Sequence, residues 1–437
     1  MPDMDVVHAM PTMPPKLHPQ HGGATLIFTM LLAFTMMLVA GFVSRNLVLE
    51  HRMSVNQYRS TQAFEAAEAG LEWALAQLNN PQRLGSDCAP VTDRVAISFR
   101  ERYLSLSHSD SMLVPRTWID AGVARALQPR CVRSAAGWSC SCPSHGLPET
   151  GTIAAAAPFP AFSLQFMAGS KPGIVRVVAT GCSSLAGPCQ PGSTTRPDAI
   201  ARLEVSLGLL GGVRVAPIAA LTARGAVTID ATAAAASSGA HNTDTRTGIA
   251  IHSGADVDAG RLRVTMPAGA PVASGVIAND TALVALSADQ FFVSYFGLDK
   301  ARWQAQPVVK RIECSGDCGA ALSQAIATAS GSSLLWIDGD LELRGPIALG
   351  SREHPVVIVV NGSAQLRGAV AIHGVFYAGS IEWNDASSGG SVHGATISEG
   401  TYRGNGAPDF HYDTQILGSL NGFAGSFARV NGSWRDF

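Results

Sequence analysis

Charge is scarce in this chain. Asp, Glu, Lys and Arg make up 15% of 437 residues, against roughly 25% in an average soluble domain. With 31 basic and 33 acidic residues the net charge is -2. There is no basic surplus to grip a nucleic-acid backbone and no acidic tail to store cations. Aromatic residues are few, at 7%, while glycine is frequent, with 45 residues. That balance suits many short strands joined by tight turns. P-loop, GxSxG, HExxH and dinucleotide-binding patterns are all missing, so the common signatures of nucleotide, acyl-transfer and zinc-protease chemistry do not appear. Proline is missing from Ala24 to Asn80, so nothing there forces a helix to break.

What fills that proline-free stretch is the most informative part of the sequence. ATLIFTMLLAFTMMLVAGFV, Ala24 to Val43, carries no charge. A bilayer core of ~30 Å takes about 20 apolar residues in a helix, so this run can span a membrane. It continues without interruption through SRNLVLEHRMSVNQYRSTQAFEAAEAGL to Leu71. The helix from Ala24 to Asn80 would be about 80 Å long at ~1.5 Å per residue. Phe64, Ala67, Leu71, Leu75 and Leu78 recur at three- and four-residue spacing and form one apolar face. Glu65, Glu68 and Glu72 line another face, either as a solvated stripe or as partners for arginines of neighbouring subunits. Asn79-Asn80-Pro81 ends the helix. A secretory signal peptide is the bland alternative, but the apolar run exceeds a normal signal core.

Gly22-Gly23 before the run, LEHRMSVN at Leu49 to Asn56 and AFEAAEAGL at Ala63 to Leu71 resemble the N-terminal region of PilX-like minor pilins of type IV pili. The closing NGSWRDF, Asn431 to Phe437, resembles the ending of longer chains of that kind. The resemblance implies a leader, residues 1–23, removed by a prepilin peptidase between Gly23 and Ala24. It implies a helix that first anchors the subunit in the inner membrane and then packs among other pilins in the filament core. Phe64, Ala67, Leu71, Leu75 and Leu78 would be the packing face. Implied partners are other pilins and minor pilins, the inner-membrane assembly machinery and a tip adhesin. Phe28 would be the fifth mature residue, where major pilins usually carry Glu. That departure argues for a minor rather than a major subunit.

All eight cysteines follow the apolar run: Cys88, Cys131, Cys140, Cys142, Cys182, Cys189, Cys314 and Cys318. An even number on one side of a membrane segment reads as disulfides in an oxidising space. Cys182 with Cys189, and Cys314 with Cys318, suit local loop closure; the order among the other four stays open. Zinc at Cys140-Ser-Cys142 near His145 is the rival, but CxC lacks the spacer of structural zinc pairs. Arg45, Arg52 and Arg59 follow the run and only Lys16 precedes it. The positive-inside rule alone would put the large domain in the cytoplasm. The cysteines and the ease with which long domains translocate favour a periplasmic domain.

Residues 24–80 therefore form the helix, with 24–43 in the membrane. Residues 81–212 read as a head with an antiparallel sheet, marked by GIVRVVATG, Gly173 to Gly181, and AIARLEVSLGLL, Ala199 to Leu210. Residues 213–437 change texture, with short strands alternating with glycine turns. IDGDLELRG, Ile337 to Gly345, echoes VNGSAQLRG, Val360 to Gly368; IHGVFYAG, Ile372 to Gly379, echoes VHGATISEG, Val392 to Gly400. A strand-turn unit repeating every ~20–25 residues fits a β-solenoid, each coil burying its face on the next; an irregular sandwich is the alternative. Helical interruptions are expected at ADQFFVSYFG, opened by a capping box of Ser287 and Gln290, and at Gly319 to Ala329.

The fold class is thus α+β. No catalytic residue, metal ligand or cofactor is assigned. His373 and His393 occupy equivalent points of the second echo, where they would face each other across a coil; they read as polar turn residues. Asp338 with Asp340, and Asp244 with Asn242, lack the remaining ligands of a calcium loop. Asn279, Asn361 and Asn431 open glycosylation-type triplets but read as turn residues. Trp434 and Phe437 read as closing a sheet core rather than anchoring a partner. The reading is a non-enzymatic PilX-type minor pilin near the filament tip, carried from the inner membrane to the cell surface. Rival readings are a membrane-tethered polysaccharide-binding or hydrolytic solenoid module and a K-type minor pseudopilin of a type II secretion system. Paired carboxylates beside stacked aromatics would mark the former.

Overall fold

The uncharged run and the amphipathic stretch after it form one helix, α1, Gly22–Leu78. The computed structural model describes residues 22–437, apart from 94, 108–111, 149–158, 191–195, 231–238, 259, 261, 386–388, 407 and 423. Most of the expected leader therefore lies outside the described residues. The chain forms two units, Met1–Tyr58 and Arg59–Phe437. The described part of the first is α1 alone, with Leu26 to Val43 exposed on every side. Thr29 and Thr35 donate their hydroxyls to the carbonyls of Leu26 and Leu32. Each hydroxyl is thereby satisfied within the helix, as an apolar solvent requires.

The second unit opens with the rest of α1, ended by Pro81. A short helix, α2, Phe99–Tyr103, starts from a capping box of Ser98 and Glu101. Two antiparallel hairpins follow: β1 Leu104–Leu106 with β2 Leu113–Pro115, and β3 Thr117–Asp120 with β4 Val123–Ala126. Then come β5 Arg130–Ser134, β6 Gly137–Ser141, β7 Ala161–Ala168, β8 Ile174–Cys182 and β9 Ile200–Gly211. These five pair antiparallel in the order β9-β8-β7-β5-β6. Phe162, Leu164 and Phe166 alternate along β7, and Leu203, Val205 and Leu207 along β9. All are buried in one cluster with Ala67, Leu71, Ala74 and Leu78 of α1. The helix lies close on this sheet because both surfaces are small where they meet. A Cβ on Gly181 would stand 2.0 Å from the Ala63 carbonyl oxygen.

The next sixteen strands, β10 to β25, pair parallel. They are β10 Ala219–Ala223, β11 Val227–Asp230, β12 Gly239–His241, β13 Ile249–Ser253, β14 Val257–Asp258, β15 Arg263–Thr265 and β16 Val276–Ile277. Helices α3 Thr281–Val284, α4 Ala288–Phe296 and α5 Lys300–Gln304 intervene before β17 Val309–Ile312. After α6, Gly319–Ala327, come β18 Ser333–Ile337, β19 Leu341–Arg344, β20 Ile347–Leu349, β21 Val356–Arg367, β22 Val370–Asp385, β23 Ser391–Ser398, β24 Tyr402–Gly406 and β25 Asp409–Tyr412. Both echoes fall in register one coil apart. Leu341 pairs with Ala364 and Arg344 with Arg367, while His373 pairs with His393 and Gly374 with Gly394. Gly374 and Gly394 have φ of +148° and +133°. A Cβ on either would strike the preceding coil, 1.7 Å from Val356 O and 2.1 Å from Gly374 O. That is why the echo repeats His-Gly.

The coils do not stack in chain order. β23 pairs with β22 on one side and with β10 on the other, and β24 and β25 likewise meet β11 and β12. The last coil of the chain thus lies on the first. One ladder is buried on both faces. Inward it points Leu335, Ile358 and Phe376, and outward Trp336, Val357 and Tyr377 pack with Phe292, Phe296 and Trp303 of the helices. Its strands accordingly read as unbroken apolar runs, VVIVV in β21 for example, as two-sided burial demands.

After α7, Thr414–Gly422, the chain returns to the antiparallel sheet. β26 Gly425–Arg429 and β27 Arg435–Asp436 both pair with β9. The Asn79 side chain bonds both backbone groups of Phe427, at 3.0 and 2.7 Å. Partly buried Arg100 donates to Leu78 O and Gly425 O, tying the C-terminus of α1 to β26. Burial lowers its pKa to about 10.

Candidate functional site

Gly23 and Ala24, the expected cleavage pair, are exposed at the start of α1. Along the expected packing face, Ala67, Leu71 and Leu78 are no more than 2% exposed and Leu75 is half-buried. Ala67, Leu71 and Leu78 lie in the core of their own head, which leaves these three unavailable to a neighbouring subunit, and Leu75 packs against that core. Phe64 is different: it is 36% exposed, with Trp434 edge-on at 6.4 Å. Trp434 and Phe437 are 47% and 72% exposed. The expectation that they close a sheet core is therefore corrected. β27 is an edge pairing of two residues, too short to fold its flanking aromatics inward. Phe437 instead lies over the Arg202 guanidinium. Glu65 and Glu68 are exposed, and Glu72 bonds Arg429 of its own chain.

All eight cysteines are paired: Cys88–Cys142, Cys131–Cys140, Cys182–Cys189 and Cys314–Cys318. The two local closures are as the spacing suggested. Sequence reasoning could not order the other four because the pairing depends on β5 lying beside β6, where Cys131 and Cys140 are register partners. Buried Arg102 holds the other loop by donating to Gly85 O, Leu84 O and Cys142 O. With Cys140 and Cys142 both in disulfides, the CxC zinc alternative falls.

The acidic turn residues serve the backbone. Asp340 accepts from Ser363 N at 2.7 Å and Ser363 Oγ at 2.8 Å, and Asp338 from Trp336 Nε1 at 2.6 Å. Asn242 is buried and bonded to Ile218 O and Ile249 O, while Asp244 accepts from Arg246. His373 and His393 do face each other, their rings stacked at 4.9 Å. The column is longer than the echo showed. His393 stacks on His411 at 4.6 Å and His411 on His241 at 4.5 Å. Burial first, then the neighbouring imidazoles, hold His393 and His411 below the ordinary histidine value. The sequence hid the last two members because His241 joins the column only when the chain's last coil docks on its first.

Residues 22–72 match the PilX N-terminal family model. No curated protein matches the chain. Among solved structures, the competence-associated pilin ComZ from Thermus thermophilus aligns with 14% identity over 87% of this chain and 97% of its own, with a TM-score of 0.22. That likeness is too slight to argue from. The family match falls wholly within α1, over both the uncharged run and the AAEAGL string. At residues 22–72 this chain therefore carries a PilX-type pilin N-terminal segment, leading into an α+β body.

Proposed function

We propose that the chain is a minor pilin of PilX type, a structural component of a type IV pilus rather than an enzyme. The observation that carries the reading is the division of α1. Its first part, Leu26 to Val43, is apolar and exposed all round, while the face of Ala67, Leu71, Ala74 and Leu78 is covered by the head sheet. A helix of this kind can change partners, from lipid to other pilin helices, while its head stays folded. Cleavage after Gly23 frees Ala24 as the mature N-terminus. The uncharged run then enters the filament core, and Phe64, at the margin of the head, is left to meet a neighbour. The solenoid adds so much chain to each subunit that regular repetition along a filament would be crowded. A place near the tip, where one copy suffices, relieves that crowding and lets the parallel coils face a tip adhesin or a surface.

Gene deletion and complementation tests the reading. Loss of the chain should sharply lower the number of surface pili, and expression of the wild-type chain should restore it. Unchanged piliation in the deletion strain would contradict it. Loss of protein secretion with normal pili would transfer the chain to a secretion-system pseudopilus.

A further inference from the structure

Where the last coil meets the first, three metal-ligating side chains converge. Among the described residues, His241, Asp409 and His411 each bring one ligand atom within 4.8 Å of the others. Asp409 and His411 are two apart on β25 and share a face of that strand, and His241 on β12 is the register partner of His411. The Asp409 carboxylate points one oxygen at His241 Nε2, 3.4 Å away, and the other at His411 Nε2, 4.0 Å away. The side chains are 21%, 28% and 36% exposed for His241, Asp409 and His411, so the group is held by the strands yet open to water on one side.

Two further features shape the site. Thr265 Oγ1 lies 2.8 Å from His241 Nδ1. It holds the ring so that Nε2 is the nitrogen turned to Asp409, as an outer partner does for a metal-binding imidazole. Gly239 has no side chain where β12 needs space. A Cβ there would stand 2.2 Å from His241 Nε2. Glycine in a strand often marks a close approach of this sort. Any other residue would push the nitrogen away from the carboxylate.

We propose that His241, Asp409 and His411 bind one divalent transition-metal ion of the zinc class, with water completing the coordination. Metal–nitrogen and metal–oxygen bonds of ~2.0–2.2 Å in a tetrahedral site put ligand atoms about 3.4 Å apart. The His241–Asp409 distance already meets this; the part-exposed His411 ring must tilt out of its 14° stack on His241 and the Asp409 carboxylate must turn with it to bring the third ligand atom in. Two imidazoles and one carboxylate form the donor set of an open zinc site. The ion would bridge residues 168 apart in the chain and clip the closing coil to the first.

The test is titration of Zn²⁺ into the purified full-length chain in detergent, without an added histidine tag, followed by calorimetry and thermal unfolding. One saturable site per chain, a higher Tm with Zn²⁺ and its reversal by a chelator are expected. His411→Ala and Asp409→Asn should each weaken binding at least about tenfold, since even an outer-shell loss costs that much. His373→Ala, two coils away, should bind as the wild type does. Asp409→Asn preserves size, so it remains informative if His411→Ala fails to fold. No saturable binding by the wild type, or wild-type affinity in Asp409→Asn, would overturn the proposal.

Discussion

A methyl group at residue 181 has no space to occupy. Gly181 faces α1 so closely that a Cβ would lie 2.0 Å from Ala63 O and 2.4 Å from Ala67 N. Backbone cannot yield as a flexible side chain would, so the helix and sheet must separate. Gly181→Ala should destabilise the head by about 1–3 kcal/mol, the usual scale of overpacking, measurable as a lower denaturant midpoint. Asp280 caps α3 through Ala282 N and Leu283 N and accepts from His252 Nε2 at 2.7 Å. The histidine bond first, then the backbone donors, hold its pKa below the ordinary 3.8. A carboxylate depressed in the folded state contributes stability that is complete above its unfolded pKa and lost as pH falls through the folded value. Asp280→Asn should therefore be less stable than wild type at neutral pH, and the gap should narrow below about pH 4. A gap independent of pH in thermal scans would show that the charge of Asp280 contributes nothing.

Helix α1 is legible as an element in the amino-acid sequence, because an uncharged run, an apolar stripe and Pro81 define its course. The partner that covers the stripe is not. Periodicity marks a buried face but does not name the surface that buries it, and here that surface is the chain's own sheet for Ala67, Leu71 and Leu78. The two roles separate by substitution. Leu71→Ala should cost about 2–5 kcal/mol, as for other core leucines, and reduce the folded chain in the membrane. Phe64→Ala removes a side chain that is 36% exposed and should lower the Tm little, while reducing surface pili in cells where it is the only copy. Equal losses of stability from both changes would place Phe64 in the core. Normal piliation with Phe64→Ala would remove it from the assembly surface.

At the scale of the whole molecule, local echoes are readable in the sequence and closure is not. The His-Gly and Leu-Arg repeats fix neighbouring coils because identical residues meet at fixed register, 20 or 23 residues apart. The docking of β23 to β25 on β10 to β12 joins distant segments with no shared motif, and β26 and β27 return to β9 by two short pairings. Such contacts leave no period in the sequence. The histidine column and its proposed metal clip arise only at that closure. Pilus membership, by contrast, rests on the N-terminal segment, and one measurement addresses it directly. Filaments sheared from cells can be purified and the N-terminal peptide of this chain identified by mass spectrometry. The chain should be present in small amount, beginning at Ala24. Its absence from filaments while abundant in the membrane, or its presence there with the segment before Gly23 still attached, would contradict the minor-pilin reading.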